Sequence, residues 1–227
     1  MFLWKIALIL FGASMIVGML SRRFHKARLT KFREQEFSLG ITGAEFARRI
    51  LKAKGLEQIE VVESNALLTD HYDLDSKTIL LSSANFSGTD LAAAGTSAHV
   101  TGHAMQHAVE HRPLQWRTQA IKFAALGEVI VALASAGFLI PSKQSAMLIL
   151  GFGMAMIRGY NVMTMPVEFD ASGRAKDTIY HARLVRAGKE FDRLEEMLHA
   201  ANHDKMSGFT RFWSWVSGWI FPWKKKG

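Results

Sequence analysis

The chain has no cysteine in 227 residues, which excludes both a disulfide framework and any metal site built on thiolates. Proline is scarce, four in all, and where it occurs it punctuates helical runs. Acidic residues are outnumbered: 20 Asp and Glu against 28 Lys and Arg leave a net charge of +8. The basic residues bunch beside apolar runs instead of spreading over one face, and no DNA- or RNA-binding pattern occurs. That distribution points to a membrane surface and away from nucleic acid as a partner.

What the chain does have is a histidine helix. The run that begins near Thr89-Asp90 must stop before Pro113, and within it stands Ser97-Ala98-His99-Val100-Thr101-Gly102-His103-Ala104-Met105-Gln106-His107. Positions four apart lie one above the other on a helix, so His99 and His103 present two imidazoles to one point. This is the spacing with which His-Glu-x-x-His holds a metal, but Val100 stands where that motif has glutamate. His107 and His111 continue the spacing, the row drifting by roughly 40° per step. Ala92, Ala93, Ala94, Gly95, Ala98, Gly102 and Ala104 let neighbouring backbone approach closely. A histidine-rich packed helix is the plain alternative to a metal site.

Three apolar runs read as membrane segments. Residues 1–20, interrupted by Lys5 and followed by six Lys or Arg between Arg22 and Arg33, read as an uncleaved anchor. The positive-inside rule places the amino terminus outside and the rest in the cytosol. Residues 122–164 read as a transmembrane hairpin turning at Pro141-Ser142-Lys143, each arm near the roughly 20 residues that span a bilayer. A buried hairpin of a soluble protein is the alternative. Glu128 and Arg158 interrupt the two arms at depths that differ by roughly 3 Å counted from Ser142, so they are expected to pair across the hairpin or else to snorkel separately. Residues 207–227, rich in Trp and ending in Lys224-Lys225-Lys226, read as a helix lying on the bilayer surface, with a further span as the alternative.

Between these segments the expectation is an α+β, mostly helical domain. Thr42-Gly43-Ala44-Glu45 is a capping box opening a helix that Gly55 ends. Ile59–Val62 and Thr78–Leu81 read as strands, with the turn-rich Asp73–Lys77 before the second. This helix–hairpin unit occupies 21–121 together with the histidine helix at about 90–112. Residues 165–206 read as a solvated helical region, Pro166 in its first turn and Glu168 near its start.

With these residues in hand the chain resembles a bacterial family, the membrane-bound neutral zinc metallopeptidases of YugP-like type. Gly40–Glu45, Leu68–Asp73, Ala98–His107 and Pro166–Lys176 carry the resemblance, and the Trp-rich carboxyl-terminal region departs from it. The resemblance implies a zincin-like metal domain of an integral inner-membrane protein, with zinc on His99, His103 and Glu168. Two histidines and a carboxylate are a common catalytic zinc set. Two crossings between His103 and Glu168 would return the chain to the same, cytosolic, face. His107 is the substitute ligand should Glu168 prove remote.

Val100 breaks the family's pattern. The missing carboxylate would take a proton from water and pass it to the leaving amine, assistance worth about 10²–10⁴-fold. Glu110 lies about three turns along the helix, roughly 16 Å from His99, and cannot replace it. Asp70, His71 or Asp73 are the candidate substitutes, or else turn and strand-edge residues. The favoured expectation is a pseudopeptidase, a zinc-binding module that engages the bilayer and another membrane protein. A working peptidase with a relocated base is the second reading, and metal handling by the histidine row the third.

Overall fold

The structure is a computed structural model that describes residue 23 and residues 27–64, 70–135 and 143–204. The expected amino-terminal anchor, the turn at Pro141-Ser142 and the aromatic and basic tail at 207–227 lie outside the described residues. The described chain falls into two compact units. One comprises Phe24–Gln115 with Pro166–Asp204, and the other is built on Trp116–Met165.

The first unit opens with the expected capping box. Helix α1 (Gly43–Ala53) starts at Thr42, whose hydroxyl accepts from the Glu45 amide at 3.2 Å while the Glu45 carboxylate accepts from the Thr42 amide at 3.1 Å. Strands β1 (Glu60–Ser64), β2 (His71–Asp73) and β3 (Thr78–Ser82) form one sheet in the order β1-β3-β2. The hairpin is β2–β3, closed through a turn in which Lys77 takes φ 53°. The two strands legible in the sequence, β1 and β3, pair parallel, Val61 opposite Ile79. The strand β2 between them in sequence, only three residues long, is too short to show a pattern. After a helical turn α2 (Ser83–Phe86) comes the histidine helix α3 (Leu91–Ala108), N-capped by Asp90 accepting from the Ala93 amide at 2.9 Å.

Helix α3 is buried on nearly every side. One side packs with Phe46 and Ile50 of α1 and with Ile179, Leu194 and Met197. The other carries Val100 and Ala104 into a cluster with Val61, Tyr72, Ile79 and Leu81 of the sheet. Its small residues have the expected use: a Cβ on Gly95 would lie 2.2 Å from Met197 Cγ. Helix α6 (Lys189–Asp204), which carries Met197, therefore lies directly against α3.

Two expectations are corrected. Helices α4 (Arg112–Ser135) and α5 (Lys143–His181) occupy the region read as a transmembrane hairpin, yet no helix among the described residues is long and apolar enough to cross a membrane. The reason is visible in their polar content. Within the expected first arm Lys122 and Glu128 interrupt the apolar run, and the described helix ends at Ser135. In α5 the apolar stretch runs from Ser145 only to Ile157, short of the roughly 20 residues a span needs. An integral membrane protein with a transmembrane hairpin is thus not supported, and the argument that paired His103 with Glu168 through an even number of crossings lapses. Glu128 is exposed on α4, and the side chain of Arg158 lies outside the described residues, so the premise of an intramembrane pair loses its support. Second, Pro166 does not start a helix: α5 runs through it. Ring closure removes one backbone donor there, a defect that a long helix tolerates as a local loss.

At Gly43 the first turn of α1 meets backbone. An added Cβ would stand 2.2 Å from the Asn85 carbonyl oxygen and 2.9 Å from that of Ala93, neither of which can swing aside. Gly43→Ala is therefore expected to destabilise the chain by more than Thr42→Ala, whose lost cap costs about 1 kcal/mol. Urea midpoints of the two variants check this, and a smaller loss for Gly43→Ala would contradict the close approach.

Candidate metal centre

The site forms where α3 meets α5 within the first unit. An added Cβ on Gly102 would lie 2.1 Å from the Ala171 carbonyl oxygen, so the two backbones touch with only hydrogen between them. That contact brings a short glutamate side chain to two histidines. Glu168 Oε2 is 3.0 Å from His99 Nε2 and 3.5 Å from His103 Nε2. The imidazole rings stand nearly perpendicular, their centroids 4.9 Å apart. All three residues are at least 96 % buried, and the three donor atoms lie within 4.8 Å of one another. Among the described residues they form the cluster that the sequence singled out. Glu168 is not remote, and His107 is not called upon.

The remaining nitrogens of the two rings are also engaged. His99 Nδ1 lies 2.8 Å from Ser172 Oγ, and His103 Nδ1 lies 2.9 Å from Gln106 Oε1. Gln106 Nε2 donates in turn to the Val167 carbonyl and to Asp170 Oδ2, each at 2.8 Å. Asp170 also accepts from Arg174 Nε at 2.6 Å and has His111 Nε2 at 3.8 Å. Burial pushes the Asp170 carboxyl up, but the Arg174 and Gln106 hydrogen bonds outweigh it and hold the group below the usual carboxylate range.

The donor set fits a zinc ion. Nitrogen and oxygen ligands about 2 Å from a tetrahedral ion stand about 3.3 Å from each other, a separation bracketed by the 3.0 and 3.5 Å found here. Each ring turns Nε2 toward the carboxylate and Nδ1 toward a neutral polar partner, the arrangement of a metal-ligating histidine. Metal-centre expectations for His99, His103 and Glu168 thus coincide with one place in the fold.

Of the three candidate base residues, Asp70 and Asp73 have hydrogen-bond partners outside the cluster. Asp70 Oδ1 accepts from the Ser82 amide at 2.7 Å and its hydroxyl at 3.0 Å, and Oδ2 accepts from Asn85 Nδ2 at 2.6 Å. It pins the junction of β3 and α2. Asp73 accepts from the Asp75 amide and the Ser76 hydroxyl at 3.0 and 2.7 Å, and the Ser76 bond draws its carboxyl below the ordinary range. It is a turn residue. His71 sits on the edge strand β2, half-buried and outside the three-residue cluster. His107 is taken by the sheet: its Nδ1 lies 2.9 Å from the Tyr72 hydroxyl, and burial raises the Tyr72 phenol. The row of four histidines therefore divides, two to Glu168, one to Tyr72 and one to Asp170. Val100, 2 % exposed, belongs to the apolar cluster under the sheet. Ser172, Gln106 and Asp170 were not singled out in the sequence. The available signal was spacing: Gln106 follows His103 by three positions and Ser172 follows Glu168 by four, the intervals that share a helix face.

Comparison with known proteins points to a zinc family. Residues 7–204 match the family model described as "Putative neutral zinc metallopeptidase". A relative from Bacillus subtilis (strain 168), named "Putative membrane protease YugP", is 31 % identical over 168 residues that cover 73 % of each chain. No solved structure matches. The family is a zinc family, and its name and the buried His99, His103 and Glu168 cluster point to the same cofactor. The chain belongs to the neutral zinc metallopeptidase family that this model describes.

Proposed function

We propose that this chain is a zinc-binding metallopeptidase homologue that lacks peptidase chemistry and serves as a binding or assembly module at a membrane. His99, His103 and Glu168 are the zinc ligands in this reading. When bound, zinc supplies Lewis acidity toward a carbonyl or a water. Proton transfer must come from the protein, and the observation that carries the proposal is the residue at the general-base position. Val100 fills the general-base position with a side chain that holds neither lone pair nor proton. It packs among Tyr72, Ile79 and Leu81. Asp70 and Asp73 spend their oxygens on backbone and turn contacts, which leaves no free carboxylate among the proposed substitutes.

The membrane enters on independent grounds. The curated relative is named a membrane protease. Helix α4 leaves Trp116, Ile121, Phe123, Leu126 and Val129 each at least half exposed, an amount of apolar surface that calls for a covering partner. Six Lys or Arg between Arg22 and Arg33 favour the anionic cytosolic leaflet. These features support surface association with a lipid bilayer on its cytosolic side, where a membrane-associated protein would be the bound partner.

Elemental analysis of purified wild type is expected to give one zinc per chain, lost in His103→Ala. Equal zinc in both would sink the ligand assignment.

Casein hydrolysis tests the chemistry. Wild type should show no chelator-sensitive cleavage above a His99→Ala control, whereas Val100→Glu, which restores the carboxylate, should gain some of the about 10²–10⁴-fold that a general base contributes. Thermal midpoints accompany the assay, since the new carboxylate enters an apolar cluster. Chelator-sensitive cleavage by wild type would overturn the proposal and favour a working peptidase with its base elsewhere.

A further inference from the structure

Gln106 is fully buried, and it joins the candidate ligand His103 to Asp170. Its amide orientation follows from its partners. A backbone carbonyl and a carboxylate can only accept, so the nitrogen of the amide must face Val167 and Asp170. The amide oxygen then faces His103, and an oxygen can only accept. His103 must therefore carry a proton on Nδ1. In the neutral ring this leaves the lone pair on Nε2, the atom turned toward Glu168 and His99.

We propose that Gln106 and Asp170 are positioning residues that fix His103 as the Nδ1–H tautomer, so that its Nε2 is a ready lone-pair donor for a divalent cation. Asp170 anchors the relay, because Arg174 at 2.6 Å keeps its carboxylate in place to receive the Gln106 amide. The Val167 carbonyl supplies the second anchor from the same turn of α5 that carries Glu168. One amide thereby ties the second histidine to the helix that holds the carboxylate, and both the direction and the tautomer of the ring follow from it. His99 has a different arrangement. Its Nδ1 partner is a hydroxyl, which can donate or accept, so Ser172 by itself does not dictate the His99 tautomer. The two histidines are consequently unequal, and His103 is the one whose tautomer its Nδ1 partner dictates.

The functional meaning of this inference rests on the zinc reading above, but its first measurement does not. Long-range proton–nitrogen spectra of metal-free, histidine-labelled full-length chain report the tautomer of each ring, with His103→Ala assigning the His103 signals. Wild-type His103 is expected as Nδ1–H, and an Nε2–H wild-type ring would overturn the proposal whether or not zinc binds. Gln106→Met keeps the volume of the side chain while removing both amide functions. It is expected to lose the Nδ1–H preference and to weaken zinc binding, measured by competition with a chromogenic chelator, by roughly 10–100-fold. A purely space-filling Gln106 would leave the methionine variant within about twofold of wild type, which would also overturn the proposal. Asp170→Asn retains Gln106 and removes its charged anchor, and it should shift the same two readouts in the same direction even if the methionine variant fails to fold. No change in either would remove Asp170 from the relay. A wild type that shows the Nδ1–H ring yet takes up no zinc would count against the zinc reading and leave the tautomer assignment standing.

Discussion

Everything in the metal centre depends on one close approach, the Gly102 position of α3 against the Ala171 carbonyl of α5. A glutamate side chain reaches only a few ångströms from its backbone, and a histidine ring little further. For Glu168 to come within 3.0 Å of His99, the two helices must touch at backbone distance. Any side chain larger than hydrogen at residue 102 would insert a methyl group at 2.1 Å from a carbonyl oxygen. The small residues elsewhere on α3 extend the same logic: Gly95 admits Met197, and the alanines let α1 and α6 close in around the helix. The helix is crowded on all sides because its polar cargo must be kept dry, and a dry site makes each charge interaction stronger.

Dryness carries a cost that the surrounding hydrogen bonds offset. His99, His103, Gln106, Glu168 and Ser172 are buried polar groups on just two helices. Each unsatisfied member of such a network would cost about 1–3 kcal/mol. The network limits this cost through a chain of bonds: Ser172 on His99, Gln106 on His103, Asp170 on Gln106, Arg174 on Asp170. The last link, at a third exposed, is where the chain of bonds reaches water. An apolar cluster could have filled the same volume more simply, so a buried polar network of this extent indicates a site and not a packing solution.

Much of this was legible in the sequence, for identifiable reasons. The capping box at Thr42, the N-cap region at Asp90 and the two longer strands are local signals, and local geometry decided them. The His99 and His103 pair was legible because four-residue spacing is a property of one helix. Glu168 came only through resemblance to a family, since nothing local ties residue 168 to residue 99. Gln106, Asp170 and Ser172 went unread for the same reason: their importance lies in partners far along the chain. The parallel β1–β3 pairing was hidden because a three-residue strand intervenes. The transmembrane hairpin failed differently. Glu128 and Arg158 interrupt the two arms, and no helix among the described residues is long and apolar enough to cross a membrane. The drift of roughly 40° per step, expected from the spacing, carries the rings at 107 and 111 to other neighbours, Tyr72 and Asp170.

The loss of the glutamate after His99 need not make the ligand set dispensable. Catalysis and folding place separate demands on the same atoms. Glu168 is 97 % buried and faces two imidazole nitrogens at 3.0 and 3.5 Å, an arrangement that suits a divalent cation whatever chemistry follows. Because a preformed site is absent from the unfolded chain, the binding energy of such a cation would be folding energy. Zinc held there would clamp α5 to α3, and with α5 come Ile179 and the hydrophobic cluster that includes Leu194 and Met197. Val100 meanwhile contributes to the other cluster, where a carboxylate would have been costly to bury. Val100 and the His99–His103 pair therefore face different surroundings, an apolar cluster on one side of α3 and Glu168 on the other. The grounds for holding a metal at His99, His103 and Glu168 thus lie in the packing of α3 against α5 and are independent of which residue follows His99.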